Sequence, residues 1–283
     1  MVRHSRRKGG FFSGPEPRLF AHRGASAQAP ENTLEAFRQA RSAGVPYLEL
    51  DVHLTADGHV VVIHDNSVSR TTGRRGRVER MALSEIRRLD AGHEFTSDRG
   101  RSFPYRGKGL RIPTLEEVFL KFPEARITVE IKKTRRGIGE AVRDVIRRCR
   151  ATDRVLVASH EHQLLQDFRA VDGEVPTAFS KAEVREFLAR VRGGEVNGYR
   201  PPGDALQVPE YFGLRRVTSV AFIEAAHRLD LEVHVWTVNE PVHMKRLLSW
   251  GVDGIMTDDP ARAMASLAEL AGVAEAVAPP GSD

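Results

Sequence analysis

Short strand-like runs alternate with helical patterns along almost the whole chain, and that alternation limits the fold more than any other feature. Eight runs read as strands: 18–24, 47–54, 126–132, 154–160, 175–180, 205–209, 231–238 and 253–257. Helical periodicity occupies 33–43, 114–122, 136–150, 161–171, 181–192, 217–229, 242–250 and 261–270. Such alternation predicts a parallel sheet, because each crossover helix carries the chain back to start the next strand in the same direction. Eight units in about 250 residues predict an α/β fold of the (β/α)8 TIM-barrel type. An open doubly wound sheet is the alternative, but no GxGxxG follows the first run.

Two departures from the alternation carry information. After the second run, 53–65 reads as a hairpin turning at Asp57-Gly58, a favoured hairpin dipeptide. Residues 66–112, rich in Gly and Arg, are too long for an ordinary connection and predict a small insertion over one barrel end. Residues 1–17 form a basic N-terminal segment, 18–273 the barrel, and 274–283, ending Pro-Pro-Gly-Ser-Asp, an expected disordered tail.

Composition narrows the function classes. The chain has 283 residues, 41% of them apolar, and no run near the roughly 18 apolar residues of a membrane span. Its start is basic without an apolar core, unlike a secretory signal, and Cys149 is its only cysteine. These features predict a cytoplasmic protein, with Cys149 a packing residue. The net charge of +5 suits an anionic partner, yet only 7 of the 43 basic residues are Lys, which points to a chain-wide arginine bias. Aromatic residues make up 7%, too few to offer many base-stacking platforms, so no nucleic-acid partner is expected.

The polar residues gather where barrel enzymes place their chemistry, at the carboxyl ends of strands. The first run ends His22-Arg23-Gly24, the second carries Glu49-Leu50-Asp51, and the third ends Glu130-Ile131-Lys132. Residues two apart on a strand share a face. Glu49 therefore joins Asp51, and Glu130 joins Lys132, at one barrel end. Three carboxylates so close repel one another unless a cation binds, and all-oxygen ligands select Mg2+ or Ca2+ over zinc. A turn centred on Asp57-Gly58 sets Asp51 opposite His64 and folds that histidine back beside the cluster, near His22. Two histidines flanking a metal can act as general acid and base near neutral pH. Asn32, three residues before Glu35, reads as a helix cap, Asp65 as a residue that stands behind the site without touching substrate, and Asp258 as the start of the last helix.

These pieces, with Pro30-Glu31-Asn32-Thr33, Ile112-Pro113-Thr114-Leu115-Glu116-Glu117, Trp236-Thr237-Val238-Asn239 and the run from Gly251 to Asp258, resemble the glycerophosphodiester phosphodiesterases. The resemblance spans about residues 18 to 270 in order. It implies metal-dependent hydrolysis of a small-molecule glycerophosphodiester to sn-glycerol 3-phosphate and an alcohol. It also implies roles: Glu49, Asp51 and Glu130 hold the metal, and His22 and His64 are the acid and base. Arg23 and Lys132 neutralise phosphate oxygens, and Trp236 walls the glycerol side. The rival within this architecture is a lysophospholipase D acting on a lipid-bearing diester. It needs an exposed apolar rim, for which Phe11-Phe12 is the one candidate. Residues 193–216 match no motif and are candidates for the specificity end.

Overall fold

The computed structural model describes residues 9–133 and 136–277, with side chains as far as residue 269. Its parallel strands are β1 (Arg18–His22), β2 (Tyr47–Leu54), β4 (Arg126–Ile131), β5 (Val155–Ala158), β6 (Ala205–Pro209), β9 (Glu232–Trp236) and β10 (Gly254–Thr257). Two hairpins add β3 (Val60–Val62) beside β2, and β7 (Tyr211–Phe212) paired with β8 (Arg215–Arg216). Helices α1 (Leu34–Ser42), α4 (Leu115–Lys121), α5 (Ile138–Arg148), α6 (His162–Val171), α7 (Lys181–Gly193), α8 (Val220–Arg228), α9 (Pro241–Ser249) and α10 (Pro260–Val277) connect the strands. The one-turn helices α2 (Ser69–Thr72) and α3 (Leu83–Ile86) lie in the insertion.

The barrel expected from the alternation is present. Its strands follow the order β5-β4-β2-β1-β10-β9-β6. The ring closes through the expected fifth strand, which pairs only by single bridges, Val157 with Thr177 and Ala178 with Ala205. Pro176 is its second residue and has no N–H to give to a ladder, although its carbonyl accepts from Val157 N at 2.9 Å. Several helices begin where the sequence supplies a cap. Thr114 and Glu117 form a capping box for α4, Ser180 and Glu183 form one for α7, and the Thr33 and Ser219 hydroxyls cap α1 and α8.

Two apolar layers hold the barrel. The larger lies between strands and helices and includes Leu48, Leu50, Val129, Val157, Phe168, Phe187 and Phe222, with Cys149 half-buried against it. The inner one contains Phe20, Tyr47, Leu156, Met256, Phe11 and Phe12. Phe11 and Phe12 are buried, so they are no exposed rim: they plug the end where the strands begin. Arg18 is buried beside them and pairs bidentately with Glu232, at 2.6 Å on both nitrogens. It also donates to Phe12 O and Tyr47 Oη. Residues 1–8 and 278–283 lie outside the described residues. Of the tail expected to be disordered, 274–277 continue α10 as helix.

The β2–β3 hairpin differs from expectation by one residue. Val52 pairs with Val62, His53 with Val61 and Leu54 with Val60, and Ile63 N donates to Asp51 O. Asp51 is therefore opposite Ile63, not His64. The loop has three residues, Ala56-Asp57-Gly58, closed by Thr55 N donating to His59 O at 2.9 Å. A two-residue type I′ turn needs positive φ at both positions, and only Gly58, at +84°, takes it. Asp57 instead accepts from the Thr55 hydroxyl and from Leu83 N, which ties the turn to the insertion. The insertion has a small core of its own, built on Val61, Ile63, Val68, Val78 and Ile86.

Candidate functional site

Strand register assembles the site before any side chain is considered. The β1–β2 ladder sets His22 beside Glu49, and the β2–β4 ladder sets Asp51 beside Glu130. Glu49, Asp51 and Glu130 each offer an oxygen, and the three lie within 4.8 Å of one another. Lys132 follows β4 and places Nζ 2.9 Å from Asp51 Oδ1 and 2.7 Å from Glu130 Oε1. Arg23, at φ +57°, turns its backbone N–H onto Glu49 Oε2 at 3.0 Å. Its guanidinium meets Asp51 at 3.2 Å and Glu31 at 3.0 Å. Arg23 Nε is buried yet makes no well-formed hydrogen bond.

The electrostatics of this cluster are in conflict. Burial, reinforced by the charges of Asp51 and Glu130, pushes the Glu49 carboxyl up to about 8. Burial acts the same way on Asp51, but there Lys132 and Arg23 outweigh it and hold the carboxylate below its usual range. The Lys132 ammonium is likewise kept charged, since Asp51 and Glu130 overcome the cost of its burial. A hard divalent cation held by Glu49, Asp51 and Glu130 would offset the charge that they crowd together and relieve the pressure on Glu49. The donor set fits such an ion.

Two histidines flank the cluster, each leaning on an aspartate through Nδ1. His22 Nδ1 is 2.7 Å from Asp258 Oδ1, and His64 Nδ1 is 2.7 Å from Asp65 Oδ1. A carboxylate only accepts, so Nδ1 donates in both pairs and Nε2 remains for other work. Burial disfavours charged His22, but the Asp258 hydrogen bond and the Glu49 charge outweigh it, so His22 titrates above its ordinary value. Asp65 and Asp258 are both held down at about 2 against burial, Asp65 mainly by Arg70 and His64, Asp258 mainly by His22 and Asn239. His64 arrives here without the ladder. The pairing has ended, and its carbonyl is held by His53 Nε2 at 3.0 Å.

A pocket of about 120 Å³ is lined by His22, Arg23, Glu49, His64, Glu130, Lys132 and Trp236. The eight residues to which the family resemblance gives roles thus meet at one place, Asp51 buried against Lys132 and Arg23. Trp236 is half-buried at the end of β9 and stacks on His160, with ring centroids 5.5 Å apart. His160 was missed in the sequence, although it ends the fourth strand-like run much as His22 ends β1. Asn32 was misread as a cap: Thr33 caps α1, while Asn32 donates to Asp51 Oδ2 at 2.8 Å. Asp258 was misread too. It stands before α10, and its carboxylate serves His22, Ser26 and Asn239. A second, larger groove of about 640 Å³ adjoins the pocket and shares His160, Phe179, Gln207 and Trp236 with it.

Known proteins resemble this chain over most of its length. The model of the glycerophosphoryl diester phosphodiesterase family matches residues 22–262. A glycerophosphodiester phosphodiesterase of Caldanaerobacter subterraneus is 34% identical over 251 residues, covering 86% of this chain and 94% of its own. Another, from Bacillus altitudinis, is 33% identical over 257 residues, covering 87% and 96%. Among solved structures, a glycerophosphodiester phosphodiesterase from Agrobacterium tumefaciens superposes with a TM-score of 0.71 at 26% identity, covering 88% of this chain and 99% of that one.

Proposed function

Because the chain belongs to the glycerophosphoryl diester phosphodiesterase family, we propose that it hydrolyses glycerophosphodiesters to sn-glycerol 3-phosphate and an alcohol, with a divalent cation and two histidines. One observation carries the reading: two aspartate-supported imidazoles flank three mutually close carboxylates and two cationic side chains.

Glu49, Asp51 and Glu130 would hold Mg2+ or Ca2+, which when bound polarises a phosphoryl oxygen as a Lewis acid. Arg23 and Lys132 stand at the same cluster and offset negative charge that builds on the phosphoryl oxygens. His64 takes the proton of the attacking hydroxyl at Nε2, while Asp65 keeps its ring oriented. His22, whose protonated form is favoured by Asp258 and Glu49, donates from Nε2 to the departing alkoxide. The attacking hydroxyl belongs either to water or to the neighbouring glycerol carbon, and in the second case a cyclic phosphate precedes the monoester. Trp236 closes the glycerol side of the pocket.

A second reading, a lysophospholipase D-type reaction on lipid-bearing diesters, draws support from the adjoining groove, whose walls include Phe179, Val184, Leu188 and Val208. Phosphorus NMR of the metal-loaded protein tests both. Glycerophospho-choline, -ethanolamine, -glycerol and -inositol should be converted to a phosphomonoester signal, with a transient cyclic signal if the glycerol hydroxyl attacks. A preference for lysophosphatidylcholine favours the second reading, and absence of turnover on every diester overturns both.

A further inference from the structure

After β6 the chain leaves the pocket end of the barrel as the β7–β8 hairpin, which pairs Tyr211 with Arg216 and Phe212 with Arg215. Its two-residue tip is Gly213, at φ +59°, and Leu214. Hairpin tips ordinarily carry Asn, Asp or Gly. Here the outermost side chain is leucine at 102% relative exposure, and Phe212 below it is 56% exposed. Single apolar residues on a surface need no explanation. Two on one tip inside a ring of cations do.

The cations come from two elements. Lys181, Arg185 and Arg192 of α7 and Arg215 of the hairpin line the groove beside Phe212, and Lys181 Nζ lies 4.7 Å from the Phe212 ring centroid. Nearby carboxylates are engaged elsewhere: Glu183 with Arg169, Glu186 with Arg190, and Glu210 with Arg246. Among the described residues, Lys181, Arg185, Arg192 and Arg215 therefore make no ion pair.

We propose that this hairpin docks the protein on an anionic lipid surface, with Leu214 and Phe212 entering the interface and the four cations facing the headgroup phosphates. An apolar tip with a basic surround is what such a surface binds, because acyl chains take up the one and anionic headgroups the other. A second copy of the chain is a poor occupant, since a symmetric contact through this patch opposes like charges. Docking also brings the groove, and through His160 and Trp236 the pocket, to the membrane surface. The surface would thereby be presented to the site without any membrane-spanning element. No helix among the described residues is long and apolar enough to span one.

The test is sedimentation of the full chain with phosphatidylcholine vesicles, with or without about a third phosphatidylglycerol. The protein should sediment with the anionic vesicles at low salt and not with the neutral ones, and binding should fall as salt screens the contact. Leu214→Asp and Arg215→Glu should each weaken binding at least about tenfold. Leu120→Asp, at an exposed apolar position on α4, should leave it unchanged. Leu214 is fully exposed, so Leu214→Asp should fold normally and retain wild-type turnover of a soluble diester without vesicles. Sedimentation reads partition rather than turnover, so failure of docking and failure of the hydrolase reading are distinguishable. Wild-type protein that stays in the supernatant, or Leu214→Asp that sediments like wild type, overturns the proposal. So does a lipid-free dimer, seen by analytical ultracentrifugation, that Leu214→Asp dissociates.

Discussion

Asp258 holds His22 across the seam where the first and last strands of the barrel meet: its Oδ1 is 2.7 Å from Nδ1 although the two residues are 236 positions apart. The β1–β10 ladder makes this possible by pairing Ala21 with Thr257, the residues just before each. Removing the carboxylate removes the hydrogen bond that favours protonated His22, so the His22 pKa should fall. Asp258→Asn should lose at least about tenfold in kcat, within the range of a general acid's contribution. The alkaline limb of its pH–rate profile should move to lower pH. A profile that keeps its wild-type limbs would show that Asp258 only supports the fold.

The carboxylate cluster predicts metal dependence. Exhaustive chelation should abolish turnover, and Mg2+ or Ca2+ should restore it. Binding should also appear without any assay of activity. A cation at 100 times its Kd stabilises the folded state by about 2.7 kcal/mol, and thermal unfolding should report this for the wild type and much less for Glu49→Gln. Full activity in protein shown to be metal-free would sink the idea.

Lys132 bridges Asp51 and Glu130, so its charge is fixed at the place where phosphoryl oxygens are proposed to sit. Lys132→Met should cost about 2–4 kcal/mol of transition-state stabilisation, the effect of deleting one preorganised donor. Steady-state kinetics on the folded variant decide this, and a near wild-type kcat/KM removes Lys132 from the chemistry.

His64→Ala should lower the rate by roughly 10²–10⁴, the contribution of an acid or base. Gly58→Val tests something different. Gly58 is at φ +84° with no atom within 4 Å of where a Cβ would stand, so the cost is backbone strain rather than a clash. It should lose about 1–2 kcal/mol of stability. Its kcat should stay within a few-fold of normal, because His64 lies beyond the ladder and is held by His53. Chemical denaturation and kinetics on both proteins would separate the two effects, and a dead but stable Gly58→Val would contradict this account.

The Arg18–Glu232 pair predicts acid sensitivity at the end of the barrel away from the pocket. Burial raises the Glu232 pKa, but Arg18 and His234 overcome it and hold the carboxyl at about 2, against 4.5 for a free Glu. A depressed pKa contributes stability that is fully present above about 4.5 and is lost as pH falls towards 2. The amount is about 3 kcal/mol at roughly 1.4 kcal/mol per unit. Glu232→Gln should be less stable by a similar amount at neutral pH and should lose this acid dependence. Denaturation midpoints that fall in parallel for the two proteins between pH 5 and 2.5 would refute it.

Much of this molecule is legible in one dimension. Alternating strand and helix patterns specify the barrel because hydrophobic periodicity is local, whereas the cap of α1 was placed one residue early, on Asn32 instead of Thr33. Glu49 with Asp51, and Glu130 with Lys132, could be grouped because alternate residues of a strand share a face. Pairing across the chain could not be read this way. The hairpin register depended on which backbone angles Asp57 and Gly58 adopt, and Asp57 was decided by Leu83, a contact from the insertion. Asn32 reaches Asp51 because β1 and β2 pair side by side, Asp258 reaches His22 because the last strand pairs with the first, and His160 meets Trp236 because closure of the ring brings those strand ends together. Sequence determined which residues can do chemistry and which strand ends carry them. The tertiary structure decided which aspartate supports which histidine, because that depends on distances between segments that no local pattern encodes.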